Sequence, residues 1–149
     1  MAADQGVKKL PLRNEIAEKD TWRLEDIFPS DDAWEREFQE VKTMIPGIKK
    51  FQGRLGESAA TLYEALQFQD QLLERLGKLH AYSHMRYDQD TTNSFYQALD
   101  DRMRNLYAQA ASQLSFIVPE LLSIAEEKLN AFLAEKEELQ LYEHALAEI

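Results

Sequence analysis

The chain contains no cysteine, which removes disulfides, thiolate metal ligands and a thiol nucleophile together. Valine is scarce as well, with Val7, Val41 and Val118 set against twenty leucines, so a sheet would have little to be made of. Cations are in deficit: 17 Lys and Arg face 27 Asp and Glu, a net charge of −10 with an isoelectric point near 4.8. Nonspecific binding to nucleic acid or to anionic membrane needs clustered positive charge, so neither is expected as a partner. No apolar run approaches the roughly 20 residues that cross a bilayer. Residues 1–14 are polar and mixed in charge and lack the apolar core of a secretory signal. What is present, 44% hydrophobic and 30% charged residues in 149, fits a folded, soluble chain of about one domain. The expected fold class is all-α, and the expected location is cytoplasmic.

Residues 1–29 read as an extended N-terminal arm clamped by Trp22, and residues 30–149 as a helical domain. Ser30, Asp31 and Asp32 can each offer a side-chain oxygen to the free N–H groups of a helix start. The apolar residues that follow, Trp34, Phe38, Val41, Ile45, Ile48, Phe51 and Leu55, are spaced 4, 3, 4, 3, 3 and 4, which is one face of a helix. Pro46 interrupts that series and predicts a kink or short break. Ser58 is placed to cap a second helix of about 30 residues, reaching Tyr87, with Leu62, Leu66, Leu73, Leu76 and His80 in one stripe and Phe68, Leu72 and Leu79 widening it. The polar run 88–93 predicts a turn in which Asp90 or Thr92 caps the next helix. There Phe95, Leu99, Met103, Leu106, Ala110, Leu114 and Ile117 recur at helical spacing. Pro119 suits the first turn of a short helix. The last stripe, Leu139, Tyr142, Leu146 and Ile149, stops without Gly, Asn, Pro or a cationic turn. The sequence is therefore expected to be cut at 149, with a final helix that packs poorly. Several long antiparallel amphipathic helices, a bundle, is the architecture implied.

Chemistry-bearing patterns are few. His80 and His84 lie four apart, as in the HExxH zinc motif. The glutamate that serves there as general base is replaced by Ala81. A structural metal on His80, His84 and Asp88 is the functional alternative. The plainer reading is a buried or half-buried pair hydrogen-bonded to a neighbouring helix, and that is the expectation. Asp88-Gln89-Asp90 opens like a calcium loop, but Thr92 is at the third ligand position, Asn93 replaces the required Gly and Leu99 the bidentate Glu. No GxSxG elbow is present. Residues 53–56 carry neither a phosphate-binding Lys-Ser pair nor a dinucleotide fingerprint. Catalytic residues, cofactor-binding residues and metal ligands are all expected to be absent from these 149 residues.

Arg13-Asn14-Glu15-Ile16, then Thr21 to Asp31 (TWRLEDIFPSD) and Trp34, together with Tyr82, Arg86-Tyr87-Asp88, Asp90-Thr91-Thr92-Asn93 and Pro119-Glu120, resemble the opening of oligoendopeptidase F. That group is a branch of the thimet-oligopeptidase family of zinc metallopeptidases. The resemblance spans nearly the whole chain and is most specific between Trp22 and Trp34. It implies a cytoplasmic hydrolase, a metalloprotease that cuts short peptides inside a helical channel, with zinc held by HExxH and a downstream glutamate. Those residues would lie far beyond Ile149, in a missing catalytic domain that is the implied partner. This chain would then be scaffold and channel wall, inactive alone, with zinc a cofactor of the full-length enzyme only. The reading from another class is a self-contained helical module that binds a protein partner.

Overall fold

The three longest helices start from small polar residues in extended backbone. In the computed structural model, which describes residues 9–149, Ser30 has φ −159° and accepts a hydrogen bond from the Ala33 N–H at 3.1 Å. It opens α1, Asp31–Met44. At Pro46 the chain changes from α to 3₁₀ geometry over Ile45–Phe51, since proline offers no donor to continue the ladder. The expected break is there, and the face carries through it, with Trp34, Phe38, Val41, Ile45, Ile48, Phe51 and Leu55 all buried. Gly53, at φ +79°, turns the chain, a conformation open to glycine at little cost. Ser58 then caps α2, Ala59–Gln89, by accepting from the Thr61 N–H. Asn93, rather than Asp90 or Thr92, caps α3, Ser94–Leu114, with its Oδ1 accepting from the N–H groups of Phe95 and Tyr96. Asp90 instead tightens the turn by accepting from Thr92. Three short helices follow: α4 (Ile117–Leu122), α5 (Glu126–Glu135) and, after a 3₁₀ stretch Glu137–Tyr142, α6 (Glu143–Ala147). No strand occurs among the described residues, and the all-α class stands.

Polar contacts fix the directions of the long helices. Asp31 meets Tyr82 and Glu37 meets Arg75, so α1 runs antiparallel to α2. His84 lies against Asp100, so α2 and α3 form an antiparallel hairpin. One core lies among α1, α2 and α3 and is centred on Trp34, Leu76, Leu79 and Met103; the other joins the 3₁₀ segment and the first half of α2 to α4, α5 and α6 around Ile48, Leu62 and Leu139.

That division explains where the sequence reading of α2 failed. Leu62, Leu66 and Leu76 are buried as expected, and so are Leu72 and Leu79 of the widening band, but Leu73 is 37% accessible, His80 is exposed, and Tyr82 joins the buried row instead. The helix leaves one core and enters the other, so its buried face rotates part-way along. Phe95 is likewise exposed. The arm is corrected too. Trp22 is half exposed and belongs to neither core, whereas Leu24, at 2% exposure, is the residue that enters the first core. Between residues 9 and 29 the arm is extended backbone broken by single 3₁₀ turns at Arg13–Glu15, Glu18–Asp20 and Leu24–Asp26; residues 1–8 of the expected arm lie outside the described residues. At the other end, the stripe expected to pack poorly is mostly in place: Leu139 is fully buried, Leu146 nearly so, and the Tyr142 hydroxyl donates to Asp70 at 2.6 Å, while Ile149 stays 44% exposed.

Candidate functional site

The residues that carried the sequence resemblance converge at joints between elements. Asp31, in the first turn of α1, accepts from the Tyr82 hydroxyl at 2.6 Å and from the Tyr96 hydroxyl at 3.0 Å, tying α1 to both α2 and α3. Burial, and then the hydrogen bond to Asp31, push the Tyr82 phenol up to about 12, and the same causes raise Tyr96; both tyrosines therefore stay neutral donors at any ordinary pH. The Arg86 guanidinium lies over the two tyrosine rings, 5.1 and 5.7 Å from their centroids, and donates to Glu25 of the arm at 3.3 Å. Arg86 thus links the arm to the hairpin by a cation held against π faces. Three residues beyond Asp31, the Trp34 indole N–H donates to the Leu79 carbonyl at 2.9 Å in the interior.

Glu120 does similar work at the other end. Its carboxylate accepts from the Gly53 N–H at 3.0 Å and the Leu55 N–H at 3.1 Å, satisfying two loop donors with one side chain. Asn93, as noted, caps α3. The signature residues are therefore mostly fasteners of backbone ends and helix pairs. Their pattern in the sequence marked them as special, but periodicity alone gave no sign of their partners, which lie 45 to 67 residues away.

The histidine pair is arranged differently from a metal site. His80 and His84 stack with ring centroids 5.3 Å apart and planes 20° from parallel. His80 is exposed, while His84 is half-buried, its Nδ1 3.4 Å from the buried Asp100 carboxylate and its Nε2 3.4 Å from Asp88. So His84 lies against a carboxylate of the next helix, whereas His80 does not take the buried or half-buried place expected of it. Among the described residues no group of three or more His, Cys, Asp or Glu is placed to hold a metal ion. Ala81 stands where the general base of a zinc hydrolase would be, so the pair lacks the group that activates a water in that motif. Asp88 is exposed beside His84, and the calcium-like run 88–93 is occupied with turn and cap bonds. The 53–56 glycine loop is held by Glu120, an arrangement that would repel a phosphate.

Comparison with known proteins places this framework. No family model matches the chain. Over all 149 residues it is 58% identical to oligopeptidase PepF of Bacillus subtilis (strain 168), and over 137 residues it is 37% identical to group B oligopeptidase PepB of Streptococcus agalactiae. The chain is homologous to oligoendopeptidase F. It spans about 22% of the length of the Bacillus protein and 23% of the Streptococcus one, and the match falls in their N-terminal part. Among solved structures, oligoendopeptidase F from Enterococcus faecium superposes with a TM-score of 0.73 at 25% identity, covering 79% of this chain and 23% of that one. The Trp22 to Trp34 run, which singled out this family in the sequence, is in the structure the run that supplies Leu24, Glu25, Asp31 and Trp34 to the first core and its polar joint. No helix of the described residues is long and apolar enough to cross a membrane.

Proposed function

We propose that this chain is the N-terminal helical part of a cytoplasmic, zinc-dependent oligopeptidase that hydrolyses short peptides, in which residues 30–149 form a scaffold and a wall of the substrate channel and residues 9–29 an arm laid along it. The reaction belongs to residues outside these 149. The observation that carries the reading is the 58% identity to oligopeptidase PepF, which extends over every residue of the chain while covering only 22% of that protein. The arrangement of the signature residues supports it, since side chains occupied in fastening helices fit a scaffold. The chemistry the zinc would supply, activation of a water and polarisation of the scissile carbonyl, finds no ligands on His80 and His84.

The test is a chimera in which this chain replaces the matching part of the Bacillus subtilis protein, assayed on internally quenched peptides with and without a chelator. Peptide cleavage by the chimera, lost on chelation and restored by zinc, is the expected result, with no cleavage by the 149-residue chain alone. A chimera that is monodisperse and helical yet inactive beside an active Bacillus protein would overturn the reading, as would zinc-dependent turnover by the chain alone.

A further inference from the structure

One surface of the second core is left open. Beside α5 and α6 lies a groove of about 480 Å³, lined by Leu129 and Leu133 of α5, Leu146 of α6, Ile149 just beyond it, and Leu122 and Ile124 ahead of α5. Leu122 is 62% accessible and Ile149 44%, so the groove leaves contiguous apolar surface open to solvent, which marks interaction sites where it occurs. The α5 lining is a helix face, with Glu126, Leu129, Asn130 and Leu133 at positions i, i+3, i+4 and i+7 of α5. A groove of this build accepts the apolar stripe of another helix.

The rim of the groove decides what kind of helix. Glu126 and Glu143 line it, and the segment 126–149 carries seven glutamates against two lysines, half of the net charge of the whole chain. A second copy would set the same acidic rim against itself, and an anionic lipid surface would be repelled in the same way. The complement is a helix with leucine-like residues on one face and Lys or Arg along both edges. Its source follows from two facts: Ile149, the last residue, lies in the groove itself, and the homologous oligopeptidases continue for more than three times the matched length. A segment of the same polypeptide is held near the groove at high effective concentration.

We propose that the α5–α6 groove is the seat of a basic-edged amphipathic helix from the parent polypeptide beyond residue 149. The proposal rests on the reading of this chain as part of a longer protein and is independent of whether that protein cuts peptides. The experiment uses the full-length chimera with a photo-crosslinking phenylalanine analogue at Leu122, and mass spectrometry to locate the captured residue. The expected product is an intramolecular crosslink to a segment whose apolar residues recur at 3 and 4 and are flanked by Lys or Arg. The same analogue at Leu141, which is 83% accessible and off the groove, should not capture that segment. Glu126→Lys combined with Glu143→Lys should lower the Leu122 crosslink roughly fivefold, with circular dichroism confirming the fold. A crosslink between two copies, none at all, one to a segment without flanking cations, or a yield indifferent to the rim reversal would each overturn the proposal. An inactive chimera that still gives the expected crosslink removes the peptidase reading and leaves the seat; an active chimera without it does the reverse.

Discussion

The two cores bury the same kinds of side chain but are held in different ways. Around the first, long helices are riveted by polar contacts between elements: Asp31 to two tyrosines, Arg75 to Glu37 and Glu40, Arg102 to Glu35, Trp34 to the Leu79 carbonyl. Around the second, α4, α5 and α6 have six, ten and five residues and no side-chain cap. Helices of that length have no stability of their own in water, so they persist by lying on α2 and the 3₁₀ segment, with Glu120 and Tyr142 as their polar ties. The first region is self-supporting, and the second depends on it. This difference also says why the open groove is on the second region: short elements laid on a scaffold leave apolar side chains between them.

The largest effect should come from the centre of the first core. Trp34 is fully buried, stacks on Phe38 with centroids 5.0 Å apart and holds the Leu79 carbonyl. Trp34→Ala should cost about 3–5 kcal/mol and lower the urea midpoint of the whole chain, both regions melting together. A loss under about 1 kcal/mol would mean that the first core is not what supports the rest. Leu139→Ala, in the second core and also fully buried, should cost about 3 kcal/mol but act locally. Amide exchange should rise across 117–149 and leave α1, the second half of α2 and α3 protected. Equal loss of protection in both regions would show one cooperative unit in place of two.

How much of this was legible in the sequence follows the same division. The α1 face could be read through Pro46 because one partner surface serves the whole stripe from Trp34 to Leu55. Ser30 and Ser58 could be read as caps because a cap is a local bond, made within three residues. The α2 face could be read only as a broad band, since which edge of it is buried, Leu72 and Leu79 but not Leu73 and His80, is decided by which core lies opposite. Trp22 was overvalued and Leu24 undervalued for a related reason: size suggests an anchor, but position on the first core decides it. Asp31 was read as one of three capping candidates; its bonds to Tyr82 and Tyr96 depend on helices 51 and 65 residues further on. The end of the chain was expected to fray from the absence of stop signals, yet Leu139 and Leu146 find α2 and α4 by long-range packing.

Asp31 tests whether the polar rivets matter as much as the apolar burial they accompany. Asp31→Ala removes the acceptor of a fully buried tyrosine and of a partly buried one, leaving two hydroxyls to find water. The expected cost is about 2 kcal/mol. An alkaline absorbance titration should find the Tyr82 phenol ionising below its present value of about 12, though still above an ordinary tyrosine because burial, the larger cause, remains. Asp31→Asn keeps an acceptor and should recover part of the stability. A neutral Asp31→Ala would reduce the comparison to one of apolar packing alone.

The smallest expected effect is the acid response of the ion pairs on α1. Hydrogen bonds from Arg102 and from Arg75 hold the Glu35 and Glu37 carboxyls below the ordinary glutamate value of 4.5. In the unfolded chain those carboxyls take up protons near that ordinary value, and in the folded chain only at lower pH. Between the two, the unfolded state binds more protons, so acid favours it. The stability these pairs supply is therefore complete above about pH 5 and is lost as pH falls through the folded values. Solvent reaches both pairs, with Glu35 and Arg102 about 40% exposed, so each should supply less than about 1 kcal/mol. Urea unfolding of the chain and of Glu35→Gln combined with Glu37→Gln, followed from about pH 7 to pH 3, should give two curves that converge in acid. Because no Arg–carboxylate pair ties α4, α5 or α6 to another element among the described residues, amide exchange across 117–149 should show little of this pH response beyond what the shared scaffold transmits. A steeper acid loss in that segment than in α1 would place the acid-sensitive contacts in the second region and reverse the contrast.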